Sequence, residues 1–318
     1  MAEYRATAVP RPVKREMPPL EFPGCRPVRI ARADIERCER RIEYWDAATE
    51  TAMVCDPVSV YHEQPGQALV RLLQTIAHLR GAPIATFGAA DLLLRDADGT
   101  WLRILEADQT VYLHPRTTRP PGARIEVGTD TLPDVVLEVD NTTDVRRGKL
   151  SLYESWGFPE VWVEVPEQSS PSRPAGLRPG LTIYLLEDGR FRTAPDSRAF
   201  PGWTAAEIHR ALNEPELSDA IMAVLRRIGR ALGAALGTGP DDDPLLRTER
   251  RESRTAGRVE TQRDAVLQVL KLRGLPVSAA LSRHLARLQG VSTAALVEAA
   301  LHCRDEDDFL RRTRRKQR

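Results

Sequence analysis

Residues 132–165 constrain this chain more than any other stretch. They open with Pro133-Asp134-Val135-Val136-Leu137-Glu138-Val139-Asp140, a β-branched run that reads as a strand. Alternate residues of a strand share a face. Val135, Leu137 and Val139 therefore point one way, and Asp134, Val136, Glu138 and Asp140 the other. Three carboxylates on one face of an apolar strand are costly to bury unless they are paired or bind metal. Asn141-Thr142-Thr143-Asp144 follows, a cluster of helix-starting side chains. Leu150, Tyr153 and Trp156 then give an apolar helical side, and Gly157 is a stop signal. Residues 159–165 alternate Val161, Val163 and Val165 against Trp162 and Glu164, a second strand. Strand, helix, strand makes a βαβ crossover with parallel strands and the helix on one face. Lys149, in the first turns of that helix, falls near the end of the acidic strand.

The chain has 318 residues, 42% hydrophobic and 29% charged, which suits a soluble globular protein of more than one domain. A formal net charge of +1 provides no global field for nucleic acid, so any such binding must come from local patches. Cys25, Cys38, Cys55 and Cys303 are scattered without a C-x-x-C pair, which argues against a zinc knuckle and fits reduced thiols in a cytosol. No apolar run suits a signal core or a membrane span, so the expectation is a cytoplasmic protein without membrane contact.

Four regions are expected: a Pro-rich, extended arm at 1–27, an α/β domain at 28–203, a helical segment and acidic linker at 204–244, and a charged helical region at 245–318. Within the α/β domain, residues 35–42 suit a short helix and Glu43-Tyr44-Trp45-Asp46 a turn between strands. Residues 52–55 and 58–61 look extended, and His62 precedes a helix carrying Leu69, Leu72, Leu73, Ile76 and Leu79 up to Gly81. Residues 91–95 and 101–105 suit strands around Asp98-Gly99, with a separate strand at 109–113 and a loop at 114–131. Residues 181–186 and 191–193 form a hairpin across Asp188-Gly189. Residues 204–212 and 218–236 are helical, and so are stretches within 266–303.

The order of helix, acid-bearing strands, a Glu-bearing strand and a Lys-bearing helix resembles the PD-(D/E)XK nuclease superfamily. Within it, the chain is most similar to the Uma-type restriction-endonuclease-like family. The resemblance rests on residues 133–139, Asp144, Lys149-Leu150, Tyr153 and Gly157-Phe158-Pro159-Glu160-Val161-Trp162, with weaker echoes at Ile42-Glu43-Tyr44, His62 and Ala107-Asp108. It spans roughly residues 35–205 and implies a restriction-endonuclease-like mixed sheet flanked by helices, here with an α-helical C-terminal extension.

That superfamily places its first Asp and its Glu on adjacent strands, whereas Asp134 and Glu138 share one. The resemblance therefore assigns the first acid to Asp108 and the second to Glu138, with Asp134 at a strand start or behind the site. Asp140 stands where the superfamily motif has Lys, and Lys149 on the following helix takes that role. The resemblance implies hydrolysis of DNA phosphodiesters with Mg²⁺, or alternatively Mn²⁺, held by Asp108, Glu138 and the Val139 carbonyl, with Lys149 catalytic and Glu43 available to a second ion.

Each residue has a plainer reading. Glu138 and Lys149 can form a structural ion pair, His62 and Tyr153 can be packing residues, and Asp144 can be a helix cap. Arg146 and Arg147 can be a solvated face, as can Arg247, Arg250, Arg251, Arg254 and Arg258. The runner-up reading is an inactive nuclease-fold scaffold that binds nucleic acid or a protein through its C-terminal helices, which are also candidates for a homodimer contact.

Overall fold

The computed structural model describes residues 20–38, 41–55, 60–141, 144–168, 173, 176–287 and 291–315. Residues 1–19 of the expected arm and the helix-starting Thr142 and Thr143 lie outside the described residues. The chain divides into two compact units, Met1–Asp243 and Pro244–Arg318.

The first unit begins with β1 (Cys25–Arg29), α1 (Arg32–Ile35), β2 (Tyr44–Asp46), β3 (Thr51–Cys55) and α2 (Val60–Arg80). There follow β4 (Ala85–Arg95), β5 (Trp101–Tyr112), α3 (Pro115–Thr118), β6 (Ile125–Val127) and β7 (Val135–Val139). A 3-10 turn (Val145–Arg147) leads into α4 (Lys149–Trp156), β8 (Glu160–Val165), β9 (Gly180–Glu187), β10 (Arg190–Ala194), α5 (Ala205–Asn213) and α6 (Asp219–Leu236). The strands form one mixed sheet in the order β1-β3-β2-β5-β7-β8-β9-β10, with β4 joined to β5 and β6.

The β7–α4–β8 crossover is parallel, pairing Val136 with Val161 and Glu138 with Val163. Gly157 closes α4 in the left-handed conformation at φ 82°, where its N–H reaches the last carbonyls of the helix. The expected alternation divides the core. Val135, Leu137, Val139 and Trp162 pack with Leu69, Leu72, Ile76, Ile208 and Leu225 beneath α2, α5 and α6. Val136, Val161 and Val163 pack with Leu152, Tyr153 and Trp156 of α4 on the opposite face. The domain is thus a mixed α/β sheet with helices on both faces.

Several local expectations are corrected. Residues 43–46 form no turn: Tyr44–Asp46 is a central strand between β3 and β5. Among the described residues, the helix expected at 35–42 is only Arg32–Ile35, and α2 starts at Val60, so His62 lies inside its first turn rather than before it. The two strands expected at 101–105 and 109–113 are one strand, running through Glu106-Ala107-Asp108. The loop at 114–131 contains β6, parallel to β4. The supposed arm contributes β1, and Cys25 lies opposite Cys55 on β3 in a disulfide. The expectation of four free thiols therefore fails; Cys38 and Cys303 are free. No described helix is long and apolar enough to cross a membrane.

The second unit is helical: α7 (Pro244–Leu272), α8 (Ala279–Arg287), α9 (Thr293–His302) and α10 (Glu306–Arg315). Val266, Leu270, Leu281, Leu285, Leu296 and Phe309 form its core. Arg251 and Arg258 are exposed on the charged first half of α7.

Candidate functional site

The site lies where the sheet is interrupted. Along β5, β4 occupies one edge nearly end to end, while β2 and β7 share the other. β2 pairs with residues 103–105 and β7 with residues 109–111, which leaves Glu106-Ala107-Asp108 between them. The start of β2 and the end of β7 therefore meet head to tail across this gap. Register brings Asp108 opposite Glu138, one step beyond the Gln109–Leu137 pair. Backbone groups left without a ladder partner must bond elsewhere, and site side chains take that part. Lys149 Nζ donates to the Glu106 carbonyl at 2.8 Å, and the Val139 N–H donates to Asp108 Oδ2 at 2.8 Å.

Lys149 is 3% exposed and also contacts Glu138 Oε2 at 2.8 Å and Glu43 Oε1 at 2.5 Å. Tyr153, one helical turn along α4, donates its hydroxyl to Glu138 Oε1. Burial pushes the Glu138 carboxyl well above its usual range; Lys149 opposes this, while Asp108 and Glu43 add to it. Asp108 is held low despite burial, because His62 and Lys149 favour its ionised form. His62 reaches it from α2 with Nε2 at 3.4 Å from Asp108 Oδ2, and its Nδ1 is buried without a hydrogen-bond partner. Burial also lifts Glu106 to about 7, against the pull of Arg41, whose Nε sits 2.5 Å from Glu106 Oε1.

The sequence-derived residues separate accordingly. Asp108, Glu138, Lys149 and Glu43 come together, and Val139 adjoins them through its N–H. Asp134 caps the far end of β5, accepting the Leu113 N–H at 2.6 Å. Asp140 accepts the Val145 N–H at 2.8 Å, which ties the 3-10 turn to β7, and its other oxygen is buried and unpartnered. Asp144 caps that turn by accepting from the Arg146 N–H. Glu106 and Arg41 were not singled out from sequence, and His62 was set aside as packing. The strand pairing on β5 brings Arg41 to Glu106, and the packing of α2 against the sheet brings His62 to Asp108.

Asp108, His62, Arg41, Glu63, Gln67 and Val139 line an open cleft of about 250 Å³. Among the described residues, no three His, Cys, Asp or Glu side chains gather into a metal-holding group. A hard cation that keeps several waters needs only one or two carboxylates. The oxygen donors at this gap, with more carboxylates than cationic side chains in contact with them, fit such an ion. One metal-supporting pair, Asp108 and Glu138, would then be completed by water and substrate.

No family model matches this chain, and no curated protein does. A crystal structure described as a "putative nuclease belonging to DUF820" from Anabaena variabilis overlaps 57% of this chain and 99% of its own, at 10% identity and a TM-score of 0.37. A likeness that slight carries no weight for activity.

Proposed function

We propose that this protein is a metal-dependent endonuclease that hydrolyses phosphodiester bonds in DNA. The observation that carries this reading is the meeting of Asp108 and Glu138 across neighbouring strands, with the Lys149 ammonium held beside Glu138. Asp108 and Glu138 would hold Mg²⁺ or Mn²⁺ with the Val139 carbonyl. When bound, the ion would polarise the phosphate and make an attacking water more acidic. Lys149 stays protonated, because the surrounding acids raise its pKa well above the ordinary value despite burial. It would bear against charge developing on the phosphate oxygens. Glu43 and Tyr153 fix Lys149 and Glu138 in place, and Glu43 would reach a second ion only by giving up its contact with Lys149. His62 holds Asp108 ionised.

A second reading has its own support: Lys149 satisfies both Glu43 and Glu138, as a purely structural ion pair would. The test is cleavage of supercoiled plasmid with Mg²⁺ or Mn²⁺ by wild type, Glu138→Gln and Lys149→Ala. Metal-dependent nicking lost in both variants supports the endonuclease. Nicking unchanged in Glu138→Gln refutes the site. No nicking by any form, with no Mn²⁺ binding by calorimetry, leaves the scaffold.

A further inference from the structure

The Asp108 cleft shares part of its wall with a second hollow. Gly88 and Ala89 of β4 form part of its wall, and they also line a second hollow of about 200 Å³ with Phe87, Arg119 and Arg124. Two features of β4 open this shared wall. The β4–β5 ladder pairs Gly88 with Gln109 and Ala90 with Ala107 but skips the Ala89–Asp108 position between them. There Ala89 adopts φ +49°, a conformation costly for a residue with a Cβ and common at ligand-handling sites. On its other edge, β4 pairs with β6 only through residues 92–94, so residues 87–90 present an open edge among the described residues. A floor of glycine and alanine keeps this opening low.

The chemistry of the second hollow is aromatic and cationic. Phe87 is held edge-on to Tyr112, with ring centroids 5.9 Å apart at 72°, which fixes its plane. The exposed Arg119 guanidinium lies over one face of the Phe87 ring, 5.8 Å from its centroid, and has no carboxylate partner among the described residues. Arg124, by contrast, is committed to Asp91 at 3.1 Å and to the face of Trp101. A fixed aromatic plane with an unneutralised guanidinium, in a hollow that shares its Gly88-Ala89 wall with a proposed phosphodiester site, is the pairing that single strands use: the base stacks and the phosphate meets the cation.

We propose that this groove seats one unpaired nucleotide next to the scissile phosphate, with its base on Phe87 and its phosphate at Arg119, so that single-stranded nucleic acid is the substrate class. The proposal rests on the endonuclease reading for the position of the scissile bond. In a duplex the bases are paired and stacked on one another, so none can lie on Phe87 without being unstacked. A peptide strand is a poor occupant, because the left-handed Ala89 interrupts the edge along which it would have to pair.

The test is fluorescence anisotropy with an end-labelled single-stranded oligothymidylate and with its duplex, in EDTA. Variants Phe87→Leu, Phe87→Tyr and Arg119→Ala are compared with wild type, after urea unfolding has shown each to be folded. Phe87→Leu keeps the apolar bulk and loses the stacking face, so the single strand should bind about tenfold more weakly. Phe87→Tyr should bind as wild type does. Arg119→Ala should make the slope of log K against log salt shallower by about 0.7, the share of one single-strand phosphate.

Phe87→Leu binding like wild type would overturn the proposal, as would duplex binding as tight as single strand, or no binding of either. This pattern in a protein that cleaves neither plasmid nor a single-stranded DNA circle with Mg²⁺ or Mn²⁺ would retain the groove and refute the endonuclease. Nicking abolished by Glu138→Gln, with single-strand binding indifferent to Phe87, would do the reverse.

Discussion

Replacing Lys149 with methionine removes a cation at the centre of three contacts while nearly preserving its bulk. The ammonium holds Glu138 Oε2, Glu43 Oε1 and the Glu106 carbonyl within 2.5–2.8 Å, and it is 3% exposed. In Lys149→Met, Glu138 retains the Tyr153 hydroxyl but faces Glu43 and Asp108 without compensation. Removing one partner of a buried pair costs about 3–5 kcal/mol, and the upper half of that range is expected because a backbone acceptor is orphaned as well. The sign with pH follows from Glu138. Its pKa is already raised in the folded protein and climbs further without Lys149. A raised acid contributes stability that is full below its unfolded pKa and is lost as pH rises through the folded one. The deficit should therefore shrink toward about pH 4–5 and widen toward neutrality and above.

All five tryptophans lie in the first unit, at 45, 101, 156, 162 and 203, so urea unfolding followed by tryptophan fluorescence reads that unit alone. Adding Glu138→Gln to Lys149→Met should recover more than about half of the loss, since contacting residues couple by about 0.5–3 kcal/mol. A Lys149→Met protein as stable as wild type at neutral pH would refute the reasoning. So would a double variant showing no coupling.

Two further outcomes are expected. Reducing the Cys25–Cys55 bond, which closes a separation of 30 residues, should lower the stability of the first unit by about 3–4 kcal/mol; an unchanged urea midpoint in reductant would refute this. His209 is lifted to about 9 chiefly by its hydrogen bond to the buried Glu164, with Nδ1 at 2.8 Å from Oε1. Its contribution should be complete below about pH 6.5 and lost as pH rises through about 9. After allowance for solvent screening it amounts to about 1–2 kcal/mol, and an equal alkaline loss in His209→Gln would contradict it.

What could be read from the sequence followed burial. β7 and β8 are buried on both sides and α4 on one, so their apolar patterns and the Gly157 stop appear in the letters. The same holds for α6, with its continuous apolar stripe, and for the β9–β10 hairpin, whose turn residues mark it. The gap in the sheet was harder to read for a physical reason. Asp108 has no ladder partner, Glu106 lies just past the last β2 pair, and both face other charged groups, so a continuous strand looked like two strands with a break. The same polarity made the start of β2 resemble a turn. Asp108 and Glu138 emerged through a resemblance, and only the register of β5 against β7 sets them opposite each other. His62 gave no signal beyond its place before a helical pattern, because its partner is 46 positions away. The Cys25–Cys55 bond has no spacing signature that a sequence could offer.

The arrangement of strands on β5 also determines where this domain can tolerate change in length. β2 and β7 do not pair with each other; each takes its register from β5, on either side of the gap. One residue inserted between Leu105 and Gln109 would rotate Asp108 to the opposite side of the sheet and carry β7 out of step with β2. Glu43 and Glu138, unaltered in themselves, would no longer converge on Lys149. An insertion at Asp98-Gly99, beyond the end of every ladder on β5, would leave that alignment intact. Length variation among descendants of this chain should accordingly accumulate in that turn and be purged from the stretch of β5 between Leu105 and Gln109.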